Sequence, residues 1–554
     1  MSELTLTIID TIGIQDYIFA SNRLRENLGA SELVERAVRE WVWKALPTPN
    51  NVEPSGAILD ERRIEADATL QAELLLQGGG NAVVLFRTRE LAVAMVGRLS
   101  RRLLSHAPGL SIAVAHIPFT WDAALGGEGG ALDTLYKTLA RAKQVRPVGA
   151  PLLGQSVTLE CRSTGLPAVA YARAQGDDDD EERPASADVL SRIDPEVIEG
   201  ARRRLAAILP PAVMDRYALP DRFDDLGRSE GVQSYLAVVH ADGNGVGERF
   251  TRLTLGRTDN RAQITALRTL SRRVDEAGKL ALSRTIATMV AAFESPERRD
   301  PENPLQMFLA GLPADRATGK PFLPFRPIVY GGDDVTFVCD GRLGLALAAE
   351  YLRQFHKATE EVGLPDGEAT EGVRPAHACA GVAIVKTHYP FARAYELAEE
   401  LCQGAKSALR ATGRIKTESA LDWHFALSGL LADLETIRER EYTADTGQPL
   451  VTRPLTRFGA GLGPNWRTWA AFEQLVTTLQ TDAGWRERRN KVKELREVLR
   501  RGPDRVKGFL HAFRIDRLPA LDGGAPALSK TGWESDTCGY FDAIEALDFY
   551  VQLS

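Results

Sequence analysis

The chain has 554 residues, 44% hydrophobic and 26% charged, with a net charge of −7. At about 150 residues per domain this is three or four units, and the balance excludes a fibre or a wholly disordered chain. The acidic total argues against nonspecific coating of nucleic acid, while leaving local basic faces able to bind it.

No apolar run approaches membrane-spanning length, and the opening Met-Ser-Glu-Leu-Thr lacks a basic and apolar export signal, so a cytoplasmic protein with no membrane partner is expected. Cys161, Cys339, Cys379, Cys402 and Cys538 stand far apart. That spacing offers neither a disulfide framework nor a Cys-x-x-Cys zinc site, and packing residues are expected.

Alternation at Leu4 to Ile9 reads as a strand, followed by a helical pattern from about Ala30 to Leu46. Leu70 to Gln77 and Ala82 to Phe86 read as a hairpin around Gly78, Gly79 and Gly80; a helix near Glu90 to Ser105 and a strand at Ser111 to Ile117 follow. Gly176, four aspartates and two glutamates then form a self-repelling, solvated run up to Glu182. Helical patterning resumes at Pro195 to Leu209.

The first order then repeats. Strand Tyr235 to Ala241, helix Val274 to Phe293, hairpin strands at Ile328 to Tyr330 and Val335 to Cys339, helix Gly344 to Thr359 and strand Ala376 to Val385 are expected. Helical patterns return after Pro390 and through much of Asn465 to Arg514. Both segments are β-α-β-β-α-β, the ferredoxin-like order of nucleotide-polymerising palms. The expected fold class is α+β: a first palm over 1–171, an acidic and helical connector over 172–228, a second palm over 229–430 and a C-terminal helical domain over 431–554.

In this order the first and third strands are antiparallel neighbours. His240-Ala241-Asp242-Gly243-Asn244-Gly245 closes the first strand of the second unit, and Tyr330-Gly331-Gly332-Asp333-Asp334-Val335 is its hairpin. Asp242 is therefore expected beside Asp333 and Asp334. Three carboxylates there suit two Mg²⁺ or Mn²⁺ ions, which prefer oxygen ligands and can align a hydroxyl with an α-phosphate. Turn chemistry alone also favours Asp and Gly at a hairpin. It does not require an acid-ended neighbouring strand in the correct element order.

Gly331 and Gly332 permit a tight turn and close approach of a triphosphate, and Gly243, Gly245 and Gly247 open the floor beneath it. The first hairpin has Gly78-Gly79-Gly80-Asn81 in the corresponding place, without the acids. It reads as a degenerate palm that holds a nucleotide or completes the active cleft, or else as a plain glycine turn. Lys406 follows the last strand of the second unit, where a cation can reach phosphate. His388 and Tyr389 are candidates for base or ribose contact, or loop anchors.

These residues resemble the large polymerase-cyclase subunit of type III CRISPR effector complexes, a tandem-palm family. Gln15 to Ser21 and Glu26 to Ser31 look like its first-palm entry, Gly78 to Asn81 like its degenerate hairpin, and Gly331 to Asp334 like its active one. Ala380 to Ile384, His388-Tyr389-Pro390 and Ala394 to Ala398 through Lys406 look like its final strand and helix. The resemblance implies ATP as the favoured NTP, cyclic oligoadenylate as the product, and RNA and protein partners of a type III complex. It also implies Asp242, Asp333 and Asp334 as metal ligands, with Gly243, Asn244, Gly247, Gly331, Gly332, Lys406 and the Gly78 to Asn81 turn around the nucleotide.

Three departures stand out. None of the eight histidines precedes an aspartate, so the family's His-Asp nuclease motif is missing, and its four-cysteine zinc module is missing too. Asn244 stands where the family commonly has a second acid. The leading expectation is a metal-dependent nucleotidyl cyclase or oligonucleotide synthetase in antiviral defence; the alternative is a catalytically weak nucleotide- or RNA-binding scaffold. In the tail, Arg486, Arg488, Arg489, Lys491, Lys493, Arg496, Arg500 and Arg501 offer an RNA contact, but interleaved Glu487, Glu494 and Glu497 favour a solvated, salt-bridged helix.

Overall fold

The computed structural model describes residues 3–145, 157–173, 182–226, 234–255, 259–295, 304–366, 373–426 and 433–553. The acidic run from Asp177 to Glu181 lies outside them. The first palm consists of β1 (Leu4–Ile12), α1 (Leu24–Val38), β2 (Ala72–Gly78), β3 (Asn81–Phe86), α2 (Arg89–His106) and β4 (Ser111–Phe119), with α3 (Ala131–Val145) after it. The sheet order is β2-β3-β1-β4, every pair antiparallel, as the ferredoxin-like reading requires. On β1, Leu6, Ile8 and Thr7 are all fully buried, and Thr7 Oγ1 meets His116 Nδ1 at 2.8 Å, which satisfies the hydroxyl.

The helix expected over Ala30 to Leu46 begins earlier, at Leu24, and is interrupted at Arg39 before a short helix over Glu40–Ala45. Gln77 explains how the break is tolerated: its Nε2 donates to the carbonyls of Val38 and Arg39 at 2.8 and 3.1 Å, serving acceptors that a helix end leaves open. The pattern at Pro195 becomes a helix over Pro195–Ala206, capped by Asp194, which accepts from the Glu196 N–H.

The second palm runs β5 (Tyr235–Gly243), α4 (Val246–Thr254), α5 (Asn260–Glu294), β6 (Phe325–Gly331), β7 (Asp334–Asp340), α6 (Gly344–Val362), β8 (Ala378–Lys386) and α7 (Phe391–Ala411). Helix α5 begins 14 residues before the expected start at Val274. Two strands not expected from the pattern, β9 (Ala420–Ala426) and β10 (Leu455–Thr456), widen the sheet to the order β10-β9-β8-β5-β7-β6. The pattern hid β9 because Asp422 and His424 are buried in it; Arg438 closes on Asp422 at 2.7 Å and neutralises it.

Helix α7 lies directly on β8. A Cβ at Gly381 would stand 2.0 Å from the Ala398 carbonyl oxygen and 2.5 Å from the Cys402 nitrogen, so only glycine admits this approach. Past the palm come α8 (Trp469–Thr481), α9 (Arg489–Leu499) and α10 (Phe541–Ala546), the helical tail that was expected. In α9, Arg489 and Lys493 pair with Asp548, Lys491 pairs with Glu494, and Arg496 with Glu497. This is the salt-bridged arrangement.

The chain divides into two compact units. One comprises Met1–Ile208, Val246–Lys279 and Thr359–Pro375; the other comprises Leu209–Gly245, Leu280–Ala358 and Ala376–Ser554 and holds the tail together with the sheet of the second palm. All five cysteines are free and buried. Among the described residues no helix is long and apolar enough to cross a membrane.

Candidate active site

Strand β5 is an almost unbroken apolar run, Leu236-Ala237-Val238-Val239, buried on both faces, and its pairing brings the acids together. In register with β7, Asp242 lies opposite Asp334. Directly opposed residues project from the same face. The tight turn between β6 and β7 uses Gly331 at φ 146° and Gly332 at φ 72°, and space above Gly332 is open. Gly243 N–H donates to the Asp333 carbonyl at 3.1 Å, tying strand end to turn.

The charges interact. Asp333 is pushed up to about 7, first by burial, then by the negative charges of Asp242 and Asp334, with Lys406 pulling the other way. His240 Nδ1 is 3.1 Å from Thr336 Oγ1 and 3.4 Å from Asp334 Oδ1, and its ring packs edge-on against Tyr395. Burial lowers His240, so it faces Asp334 as a neutral ring.

Lys406, only 5% exposed, donates to Asp242 Oδ2 at 2.5 Å and to the Gly243 carbonyl at 3.0 Å. It is delivered by the face of α7 that carries Ala398 and Cys402 at four-residue steps, with Cys402 Sγ donating to the Cys379 carbonyl at 3.2 Å. Lys406 thus neutralises a carboxylate here, whereas the sequence suggested a phosphate contact. The donor set fits hard divalent ions, since three mutually repelling carboxyl groups gain from a shared cation. Among the described residues, however, no group of three or more His, Cys, Asp or Glu side chains is already arranged around a metal position.

Asn244 turns inward. Its Nδ2 donates to the Glu418 carbonyl at 3.0 Å and its backbone N–H to the His377 carbonyl at 2.7 Å. Gly247 lies exposed in the first turn of α4 with open space around it, and Gly245 has φ 68°. His388 and Tyr389 need correction. Ala378 pairs with Gly243 and Lys386 with Tyr235, so those two residues leave the sheet at the end remote from the carboxylates.

In the other unit, Gly78, Gly79 and Gly80 form a turn with φ 152°, 58° and 84°, and Asn81 pairs with Asp10. Asp10 therefore occupies the register position of Asp242, and Asn81 that of Asp334. Lys143 of α3 forms an ion pair with Asp10, as Lys406 does with Asp242. The reading of this palm as stripped of acids is corrected: it keeps one carboxylate and its ammonium. The sequence reading ends the strand at Ile9 and gives Asp10 no role; in the structure β1 runs on through Thr11 and Ile12 and carries the acid into register with Asn81.

Residues 235–413, spanning the paired acids and Lys406, match the family described as Cas10/Cmr2, second palm domain. The chain as a whole has the fold of chains in crystal structures of the Csm1–Csm4 cassette. For the cassette in complex with cA4 the TM-score is 0.52 at 15% identity, covering 99% of this chain and 69% of that one; the cassette in complex with AMPPNP gives the same four values. A Csm1–Csm4 subcomplex of the type III-A CRISPR-Csm interference complex gives 0.50 at 16%, covering 99% and 70%. No curated protein matches the chain.

Proposed function

We propose that this Cas10-like chain is a nucleotidyl cyclase or oligonucleotide synthetase that joins NTPs, ATP foremost, into cyclic oligonucleotide messengers within a type III CRISPR-type defence complex in the cytoplasm. The observation that carries the proposal is the register of Asp242 against Asp334, with Asp333 in the adjoining turn, inside a Cas10/Cmr2 palm. The ligands of the similar Csm1–Csm4 cassettes, cA4, cA3 and AMPPNP, support an adenine nucleotide as substrate and a cyclic oligoadenylate as product. Those cassettes also support a protein partner of the Csm4 kind, with RNA as the further partner that the resemblance implies.

Asp242, Asp333 and Asp334 would hold two Mg²⁺ or Mn²⁺ ions, which when bound supply alignment of a 3′ hydroxyl with an α-phosphate and neutralisation of the leaving pyrophosphate. The open turn at Gly331 and Gly332 admits the triphosphate tail. Lys406, released from Asp242, follows the phosphates. His240 stands beside the Asp334 carboxylate as a neutral ring.

The test is incubation of the chain, with its complex partners where they are required, with labelled NTPs and Mg²⁺ or Mn²⁺. Pyrophosphate and an oligonucleotide product are expected, and Asp333→Ala with Asp334→Ala should abolish both; unchanged output from the double variant sinks the site. The scaffold reading has one observation in its favour, the Lys406–Asp242 pair that occupies a would-be metal ligand. It predicts nucleotide binding without pyrophosphate release under every condition.

A further inference from the structure

A single row crosses five strands of the second palm: Thr456 pairs with Ala420, Ala420 with Cys379, Cys379 with Asp242, and Asp242 with Asp334. Residues immediately beyond this row leave the sheet at the same end as the carboxylates. They include His377 before β8, Glu418 before β9 and Phe458 after β10.

Phe458 is 42% exposed, unusual for a ring held in a defined place. Two imidazoles and the Arg457 guanidinium, whose central carbon lies 5.5 Å over the ring, pack around it. The His356 and His377 centroids lie 5.1 and 5.8 Å from it and 4.4 Å from one another. The loop carrying the ring is pinned from below, because the buried Glu418 carboxylate accepts the N–H groups of Phe458 at 2.9 Å and Gly459 at 2.6 Å. Arg414 also donates to that carboxylate, at 3.1 Å, which balances its charge.

Asn244 connects this shelf to the acids. Two residues after Asp242, it donates through its side chain to the Glu418 carbonyl and through its backbone to the His377 carbonyl. A carboxylate at that position has no N–H to give. The amide, a departure from the acidic residue expected there, is what the strut to the shelf requires.

We infer that Phe458, backed by His356 and His377, is a stacking shelf for a nucleobase of the nucleotide handled at Asp242, Asp333 and Asp334. This rests on the proposed function for its occupant. An aromatic ring with this much surface left open to solvent can stack any base, and continuity through Asn244 and Glu418 places the shelf on the site's own framework. The base belongs either to the incoming triphosphate or to the short oligonucleotide made from it.

The test is titration calorimetry on the full chain with three probes: AMPPNP, a linear triadenylate and inorganic tripolyphosphate, which lacks a base. Phe458→Ala should weaken AMPPNP or triadenylate about tenfold while leaving tripolyphosphate unchanged, and Phe458→Trp should restore the loss. A loss confined to AMPPNP assigns the shelf to the triphosphate, and a loss confined to triadenylate assigns it to the product. Wild-type affinity for both in a Phe458→Ala protein of unchanged Tm overturns the inference. So does failure of the wild-type chain to bind either probe, or equal weakening of all three. Base-dependent binding without pyrophosphate release would leave the shelf standing while the cyclase reading fell.

Discussion

Lys406 and Asp242 show how one carboxylate of a metal-site candidate is paired from within the palm. The ammonium is buried but Asp242 is partly exposed, so solvent screening reduces the pair's worth below that of a fully buried one. Lys406→Met should lower stability by about 1–2 kcal/mol in chelator, and Mn²⁺ should return more stability to the variant than to the wild type; thermal melts with and without Mn²⁺ measure both. Asn244→Asp removes a buried donor from the Glu418 carbonyl and adds a charge, so a loss of about 1–3 kcal/mol in urea unfolding is expected. Neither contact was legible from residue types. A lysine on a helix and an amide after an aspartate each have many uses, and the choice among them depends on what the folded backbone places within reach.

Strand and helix positions were legible where apolar spacing dominates, as in β1, β3, β5, β7 and α2. They failed where polar side chains are buried inside a strand and break its apolar pattern, and β9, with Asp422 and His424, is the clearest case. His424 on β9 is buried and pushed down to about 3, first by burial and then by the positive charges of Arg453 and Arg438. Its folded pKa is below the unfolded value of about 6.5, so the unfolded chain takes up the proton first as pH falls. Stability from this group is therefore complete above that value and is lost from about 6.5 towards 3, by at most about 1.4 kcal/mol per pH unit. His424→Leu should flatten that part of the acid limb in a plot of unfolding free energy against pH. At the β8–α7 contact, Gly381→Ala forces a methyl group against the Ala398 carbonyl. A loss of about 1–3 kcal/mol is expected, with α7 displaced enough to weaken the Lys406 pair; a lower urea midpoint and a smaller effect of Lys406→Met in that background would register both.

Each compact unit contains the sheet of one palm, and the two sheets repeat the same register: Asp10 against Asn81 in one, Asp242 against Asp334 in the other, each first acid paired with a lysine from a helix that follows the palm's fourth strand. At this scale the basic helix α9 is an internally neutralised surface, in keeping with a net charge of −7. Replacing Arg489 and Lys493 with Gln should leave RNA retention and its salt slope unchanged in filter binding; a slope reduced by about two would make this helix an RNA contact. The repeated element order, the two glycine turns and the acids around the second turn were determined by sequence alone, because periodicity and turn chemistry are local properties. Tertiary structure decided the rest: that Asp10 is the twin of Asp242, that Lys406 reaches a carboxylate, that Asn244 faces inward, and that Phe458 stands at the acidic end of the sheet. Those four facts depend on strand register and on a helix resting against Gly381, and register couples residues as far apart along the chain as Asp242 and Cys379, beyond the reach of any local pattern.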